Sequence, residues 1–186
     1  MARPARGSGP GAVERLAEAF WAMLAEMPYA DIKVVALARR AGASPNTLYY
    51  HFDGVADLAR HALEAELDAA LVSDLLAGAP PAPDLSRSRR MGRVALAARS
   101  GSAELTGMLA SSLRALWLEG AGVGEAELDD AQRRDLAFIF GGIVAMLGDE
   151  ALAVDAGQMA AFASRPLGAG AVATMAALGK TGGAGM

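Results

Sequence analysis

The stretch KVVALARRAGASPNTLYYHF, from Lys33 to Phe52, holds the side chains best placed to meet a partner. Ser44, Asn46, Thr47, Tyr49, Tyr50 and His51 bring hydroxyl, amide, phenol and imidazole groups onto one short segment. A helix with a small, apolar inner face runs from Lys33 into Gly42, and a second helix opens on Ser44-Pro45. Two helices joined by so tight a turn, with Gly in it, have the form of a helix-turn-helix. There the second helix enters the major groove of DNA, and its first residues face base edges. If that form holds, the chain reads DNA and is not an enzyme. An ordinary αα-hairpin has the same local features, so at this point both readings stand.

No constellation points to catalysis. Cysteine is absent and the two histidines, His51 and His61, are ten residues apart on different helices, which is not ligand spacing. No glycine-rich phosphate loop follows a strand. The carboxylates Glu125, Glu127, Asp129 and Asp130 cluster at a helix start, where the dipole accounts for them. No cofactor and no metal is expected.

The elements that must position the recognition segment have a physical account. Gly42 sits where a helix ends in the left-handed region, open to a residue without a Cβ. The Ser44 hydroxyl can cap the next helix. Pro45 suits the first helical position, where no N–H is needed. Ala38 and Ala41 are small where the helices cross, and Leu37 and Leu48 can fill the core between them. Ahead lies a helix from about Ala12 to Met27, with Val13, Leu16, Phe20, Met23, Leu24 and Met27 at helical spacing and Pro28 ending it. Residues 1–11 read as a disordered arm. Beyond Asp53-Gly54, with Asp53 as its cap, a fourth helix extends from about Val55 to Leu76. Residues 77–84 (AGAPPAPD) are a linker. Four helical segments follow, near 85–100, 102–120, 126–152 and 156–179, and Pro166 is expected to kink or interrupt the last. Leu136–Leu147 is apolar all round and is expected to be buried all round, with Gly141-Gly142 letting a partner backbone approach.

The 186 residues suffice for one domain or two small ones. Abundant Ala and Leu with few aromatics favour an all-helical fold. The absence of cysteine is compatible with a reducing cytoplasm. No apolar run approaches the roughly 18 residues that span a bilayer, and no apolar core follows Arg3 and Arg6, so no signal peptide is expected. A net charge of −4 argues against a non-specific nucleic-acid coat, but not against a specific reader that is basic only where it meets phosphates. Arg3, Arg6, Lys33, Arg39 and Arg40 are the available cations.

Residues 13–71 resemble the tetracycline-repressor-like (TetR) family of bacterial transcription regulators. The residues that carry the likeness are Pro28-Tyr29, then Leu37-Ala38-Arg39-Arg40-Ala41-Gly42-Ala43-Ser44, then Thr47-Leu48-Tyr49-Tyr50-His51-Phe52, and Asp57-Leu58. The resemblance implies an all-α fold. A three-helix helix-turn-helix DNA-binding domain would span 9–69, and a C-terminal helical bundle for effector binding and dimerisation would span 70–179. It also implies that Ser44 caps the recognition helix and that Pro45, Asn46 and Tyr50 face bases. Thr47, Tyr49 and His51 would face phosphates or the groove wall, with Leu48 and Phe52 in the core. Asn can pair bidentately with adenine, and Pro and aromatic edges can meet a thymine methyl. The Phe140-Gly141-Gly142-Ile143 segment looks like the family's dimer helix, placing Phe140, Gly141, Ile143, Val144 and Leu147 at an interface. Met91, Met108, Trp117, Phe140 and Met146 are candidates to line an effector pocket, or else plain core.

Three positions depart from the family. Lys33 stands where a capping and phosphate-touching Thr or Ser is usual, which leaves Asp31 as a possible cap. Val35 and Val55 stand where basic residues are usual. Lys33 is counted among the DNA-contacting residues all the same. Arg87, Arg89, Arg90, Arg93 and Arg99 crowd one later helix, as a solvated basic face, as a site for an acidic effector or as a secondary DNA contact. The sequence thus predicts a cytoplasmic, homodimeric regulator that reads a palindromic DNA operator, represses, and is released by an unidentified small molecule. The alternative is a helical dimeric protein-interaction module that has lost operator binding.

Overall fold

The computed structural model of the protein describes residues 11–72, 85–149 and 161–182. The expected arm with Arg3 and Arg6 (up to residue 10) and the expected linker at 77–84 lie outside the described residues. The fold is all-α. The described helices are α1 Ala12–Leu24, α2 Val34–Arg40, α3 Pro45–His51, α4 Val55–Glu66, α5 Leu85–Ala98, α6 Ala103–Ala121, α7 Asp130–Gly148 and α8 Pro166–Gly182. They belong to two compact units that divide after Ala62, within α4.

In the N-terminal unit α1, α2 and α3 pack against one another. Leu16, Phe20, Leu37, Ala38, Leu48, Leu58 and Ala59 are fully buried there. The Phe20 ring meets Trp21 and Tyr29 edge-on, with centroids 5.2 and 6.4 Å apart. Helix α1 stops at Leu24, short of Met27, because the amides of Glu26 and Met27 both turn back to the Met23 carbonyl at 2.9 Å. No side chain caps α2. Asp31 ends a single 3₁₀ turn (Tyr29–Asp31), and Lys33 is the N-cap residue. Asp53 is not seen capping α4 either; its backbone N–H donates to the Asp57 carboxylate at 3.2 Å, so the side chain that closes this start comes from inside the helix.

The C-terminal unit packs α5, α6 and α7 mutually, with α8 against α6 and α7. Val94, Ala97, Leu105, Leu109, Leu113, Leu136 and Phe140 form its centre. Helix α4 does not run to Leu76. It ends at Glu66, and residues 69–72 begin a new helical turn. Two interactions produce the break: Asp68 Oδ1 accepts from the Leu71 N–H at 2.7 Å, and Arg90 Nε donates to the Glu66 carbonyl at 2.9 Å. Helix α7 starts at Asp130, not 126, because Asp129 and Gln132 form a reciprocal capping box at 2.8 and 2.9 Å. Its expected end at 150–152 lies outside the described residues. The last segment is interrupted at Pro166, as expected, and not kinked there. A turn at Ser164-Arg165 separates the helical residues 161–163, and Pro166 opens α8, which continues past Gly179 to Gly182. Gly168 makes that corner possible, since a Cβ there would lie 2.1 Å from the Phe162 carbonyl oxygen.

Two other expectations change. Helix α7 is not buried all round: Leu136, Phe140, Ile143, Val144 and Leu147 face inward, whereas Ala137, Phe138, Gly141, Gly142 and Ala145 are exposed. The described helices α5, α6 and α8 cover only part of its circumference. The arginines of α5 are not simply a solvated face. Arg93 pairs with Glu66, the buried charged residue of this core at 7% exposure, and Arg90 pairs with Asp68 at 2.7 Å. Both are half-buried braces between α5 and the last residue of α4 with the chain just after it.

Candidate nucleic-acid interface

The turn before α3 is built by the backbone. Gly42 adopts φ 63°, its N–H meets the Arg39 carbonyl at 3.1 Å, and the Ala43 N–H reaches the Ala38 carbonyl at 2.9 Å. That pair of bonds is a Schellman motif, which closes α2 and reverses the chain. Arg15 of α1 adds a donation from Nε to the Ala41 carbonyl at 3.2 Å. Ser44 then caps α3: its Oγ accepts from the Thr47 N–H at 3.1 Å and lies 2.9 Å from Thr47 Oγ1. Pro45 takes the first helical position.

Leu48 faces inward and fixes which side of α3 looks out. At about 100° per residue, Asn46 and Tyr50 lie opposite Leu48. Tyr50 is 81% exposed and Asn46 is exposed as well. Pro45 and Tyr49 flank that strip on one side, Thr47 and His51 on the other. Tyr49 is 59% exposed, His51 is exposed, and Pro45 and Thr47 are half-exposed. The His51 ring stands edge-on to Tyr50, with centroids 4.9 Å apart, and Phe52 is buried. The fold therefore displays Ser44, Pro45, Asn46, Thr47, Tyr49, Tyr50 and His51 on one short element.

The cations around this element are mostly engaged. Lys33 is exposed, and its Nζ donates to the Ala30 carbonyl at 2.6 Å. Arg40 is held by Glu26 through two guanidinium N–H donations. That hydrogen bonding, with the guanidinium charge, holds the Glu26 carboxyl below its ordinary value. Arg60 pairs with Asp57 at 3.4 Å. Arg39 is exposed. Sequence reasoning missed the roles of Arg15 and Glu26. Both contacts join residues 14 or more apart, where no local periodicity could reveal them.

Residues 16–62 match the family described as bacterial regulatory proteins, tetR family. The match covers about a quarter of the chain, so it is the N-terminal domain that is similar to that family. That domain is the DNA-binding helix-turn-helix of transcription regulators. The solved structure of the fatty acid degradation regulator FadR from Bacillus halodurans is similar over 93% of this chain and 96% of its own, at 18% identity and a TM-score of 0.43. So loose a likeness transfers no ligand and no residue role. No curated protein sequence matches the chain. No helix among the described residues is long and apolar enough to cross a membrane.

The C-terminal unit disperses the candidate effector residues. Trp117 lines an apolar cavity of about 450 Å³ with Val72, Leu116, Ala121, Val172 and Met175. Met146 lines a second one, between α7 and α8, with Phe138, Ile139, Phe162 and Leu167. Phe140 is buried beneath Trp117, their ring centroids 6.3 Å apart. Met91 and Met108 are half-buried and line neither cavity. Of the candidate dimer residues, Phe140, Ile143, Val144 and Leu147 belong to the protomer's own core, and Gly141 is exposed. The side of α7 open to a partner is the one carrying Phe138, Gly141, Gly142 and Ala145.

Proposed function

We propose that this chain is a cytoplasmic homodimer that binds a palindromic operator and represses transcription, and that a small molecule bound in the C-terminal unit releases it. The observation that carries the DNA-reading part is the outward strip of α3: Asn46 and Tyr50 opposite buried Leu48. Two such helices related by a two-fold axis would read inverted half-sites.

Dimerisation is supported by the exposed apolar side of the C-terminal unit. Phe138 of α7 is 67% exposed and Leu167 of α8 is 62% exposed, and the exposed Gly141 and Gly142 would let a second backbone come close. The cavity beside Trp117 supports effector binding, being apolar and within the usual size of about 300–1,000 Å³. An effector could release DNA only by binding the two states differently.

The test is a binding titration on a selected operator. Asn46→Ala is expected to cost about 1–3 kcal/mol and to relax one base position. Because Asn46 is exposed, the variant keeps its fold. Unchanged affinity would favour the competing reading, a protein-interaction module that no longer reads DNA. The thin supply of unengaged cations is what keeps that reading in play.

A further inference from the structure

Guanine and adenine ask different things of a reading helix. Guanine offers the acceptors O6 and N7 to the major groove and is met most often by Arg or Lys. Adenine offers an acceptor and a donor, which match the amide of Asn or Gln. Thymine adds a methyl group that apolar surface can touch.

Helix α3 carries no Arg and no Lys. The cations next to it in the N-terminal unit are drawn elsewhere: Arg40 to Glu26, Arg15 to the Ala41 carbonyl, Lys33 to the Ala30 carbonyl and Arg60 to Asp57. Arg39 stands in the last turn of α2, before the reversal at Gly42, and not on the reading helix. Asn46, Thr47, Tyr49 and Tyr50 can each donate through a single N or O atom, but none brings the paired donors with which Arg meets guanine O6 and N7; the remaining α3 donor is His51. It is the final residue of the helix, whereas base contacts in this motif come from the N-terminal residues. What the outward strip does offer is one carboxamide, Asn46, and the apolar edges of Pro45, Tyr49 and Tyr50.

We infer that the half-site read by α3 is A·T at its contacted base pairs, with adenine opposite Asn46 and thymine methyl groups against Tyr50 and Pro45. This rests on α3 being the DNA-contacting helix and adds the class of sequence it selects. The reading gains its specificity from one amide and from methyl contact, without a guanidinium aimed at guanine.

Selection from a random duplex library with the full chain separates the possibilities. Enrichment of inverted half-sites with A·T at the contacted positions is the expected result. Enriched half-sites with G·C there would overturn this inference and leave the DNA-reading function standing. No enrichment at all would overturn both. Two probes on the selected site then test the chemistry. Replacing a contacted thymidine by deoxyuridine removes only the methyl and is expected to weaken binding about three- to fivefold; unchanged affinity at every thymidine would overturn the methyl contacts. Asn46→Arg is expected to change the preferred base at one position from adenine to guanine. Retention of the original preference by that variant would remove Asn46 from the reading.

Discussion

At the scale of single residues, engagement decides what a charge can do. Arg39 and Arg40 are neighbours in sequence and look interchangeable as phosphate contacts. Arg40 is spent on Glu26, joining the chain after α1 to the end of α2. Arg39 is exposed. The two alanine variants should therefore behave differently. Arg39→Ala is expected to lower the salt dependence of DNA binding by about one unit of log–log slope per protomer, with the melting temperature unchanged. Arg40→Ala is expected to lower the melting temperature while the slope stays near the parent value. Binding titrations at several salt concentrations, with thermal melts alongside, distinguish them. Equal loss of slope in both variants would mean that the Glu26 pair opens on DNA.

At the scale of elements, short helices are held by what closes them and by what crosses them. Helix α3 has seven residues and would be marginal alone. Ser44 satisfies its first turn, and Leu48 anchors it to α1 and α2. The junction after α4 is held by charge: Glu66 is buried against Arg93, and Arg90 takes both the Glu66 carbonyl and the Asp68 carboxylate. Removing one partner of a buried pair leaves an uncompensated charge, at a cost of about 3–5 kcal/mol. Arg93→Ala is expected to destabilise the protein by about that much, and the double variant Glu66→Leu/Arg93→Met by considerably less. Denaturant unfolding measures both. Equal destabilisation in the single and double variants would show that packing, not charge, holds this junction.

For the whole molecule, pH and assembly are the informative variables. The Asp68 carboxyl is held below its ordinary value by the Leu71 N–H first, then by Arg90 and Arg87. Glu26 is held low by Arg40. A carboxyl whose folded value is depressed adds stability above its unfolded value, and that stability is lost as pH falls through the folded one. Stability from these two groups should be flat from pH 7 to 5 and decline below about pH 4. Asp68→Asn should flatten part of that acid limb in melts taken between pH 7 and 3; an unchanged acid limb would mean that other carboxylates dominate it. Assembly should depend on the exposed side of α7. Phe138→Arg, made at a side chain outside the core, is expected to shift a dimer toward monomer in sedimentation and to weaken operator binding. A sedimentation profile like the parent's would place the dimer contact elsewhere.

Much of this was legible in the chain itself. Gly42, Ser44 and Pro45 announced a turn and a helix start because capping and backbone freedom are local properties, and the inward Leu37 and Leu48 followed from helical spacing. The exposed residues of α3 followed in turn, since burying Leu48 sets the rotation of the whole helix. Sequence reasoning could not decide which charges were free or which side of an apolar helix stayed uncovered. Leu136–Leu147 reads as uniformly buried, yet Phe138 is exposed and Phe140 is not. The four α5 arginines look alike, yet Arg90 and Arg93 brace the end of α4 and the residues that follow it. Those outcomes depend on partners 22 to 27 residues away for the arginines, and on how much of α7 its neighbours reach. Periodicity measures the apolar character of a helix, and only packing chooses the face that is covered.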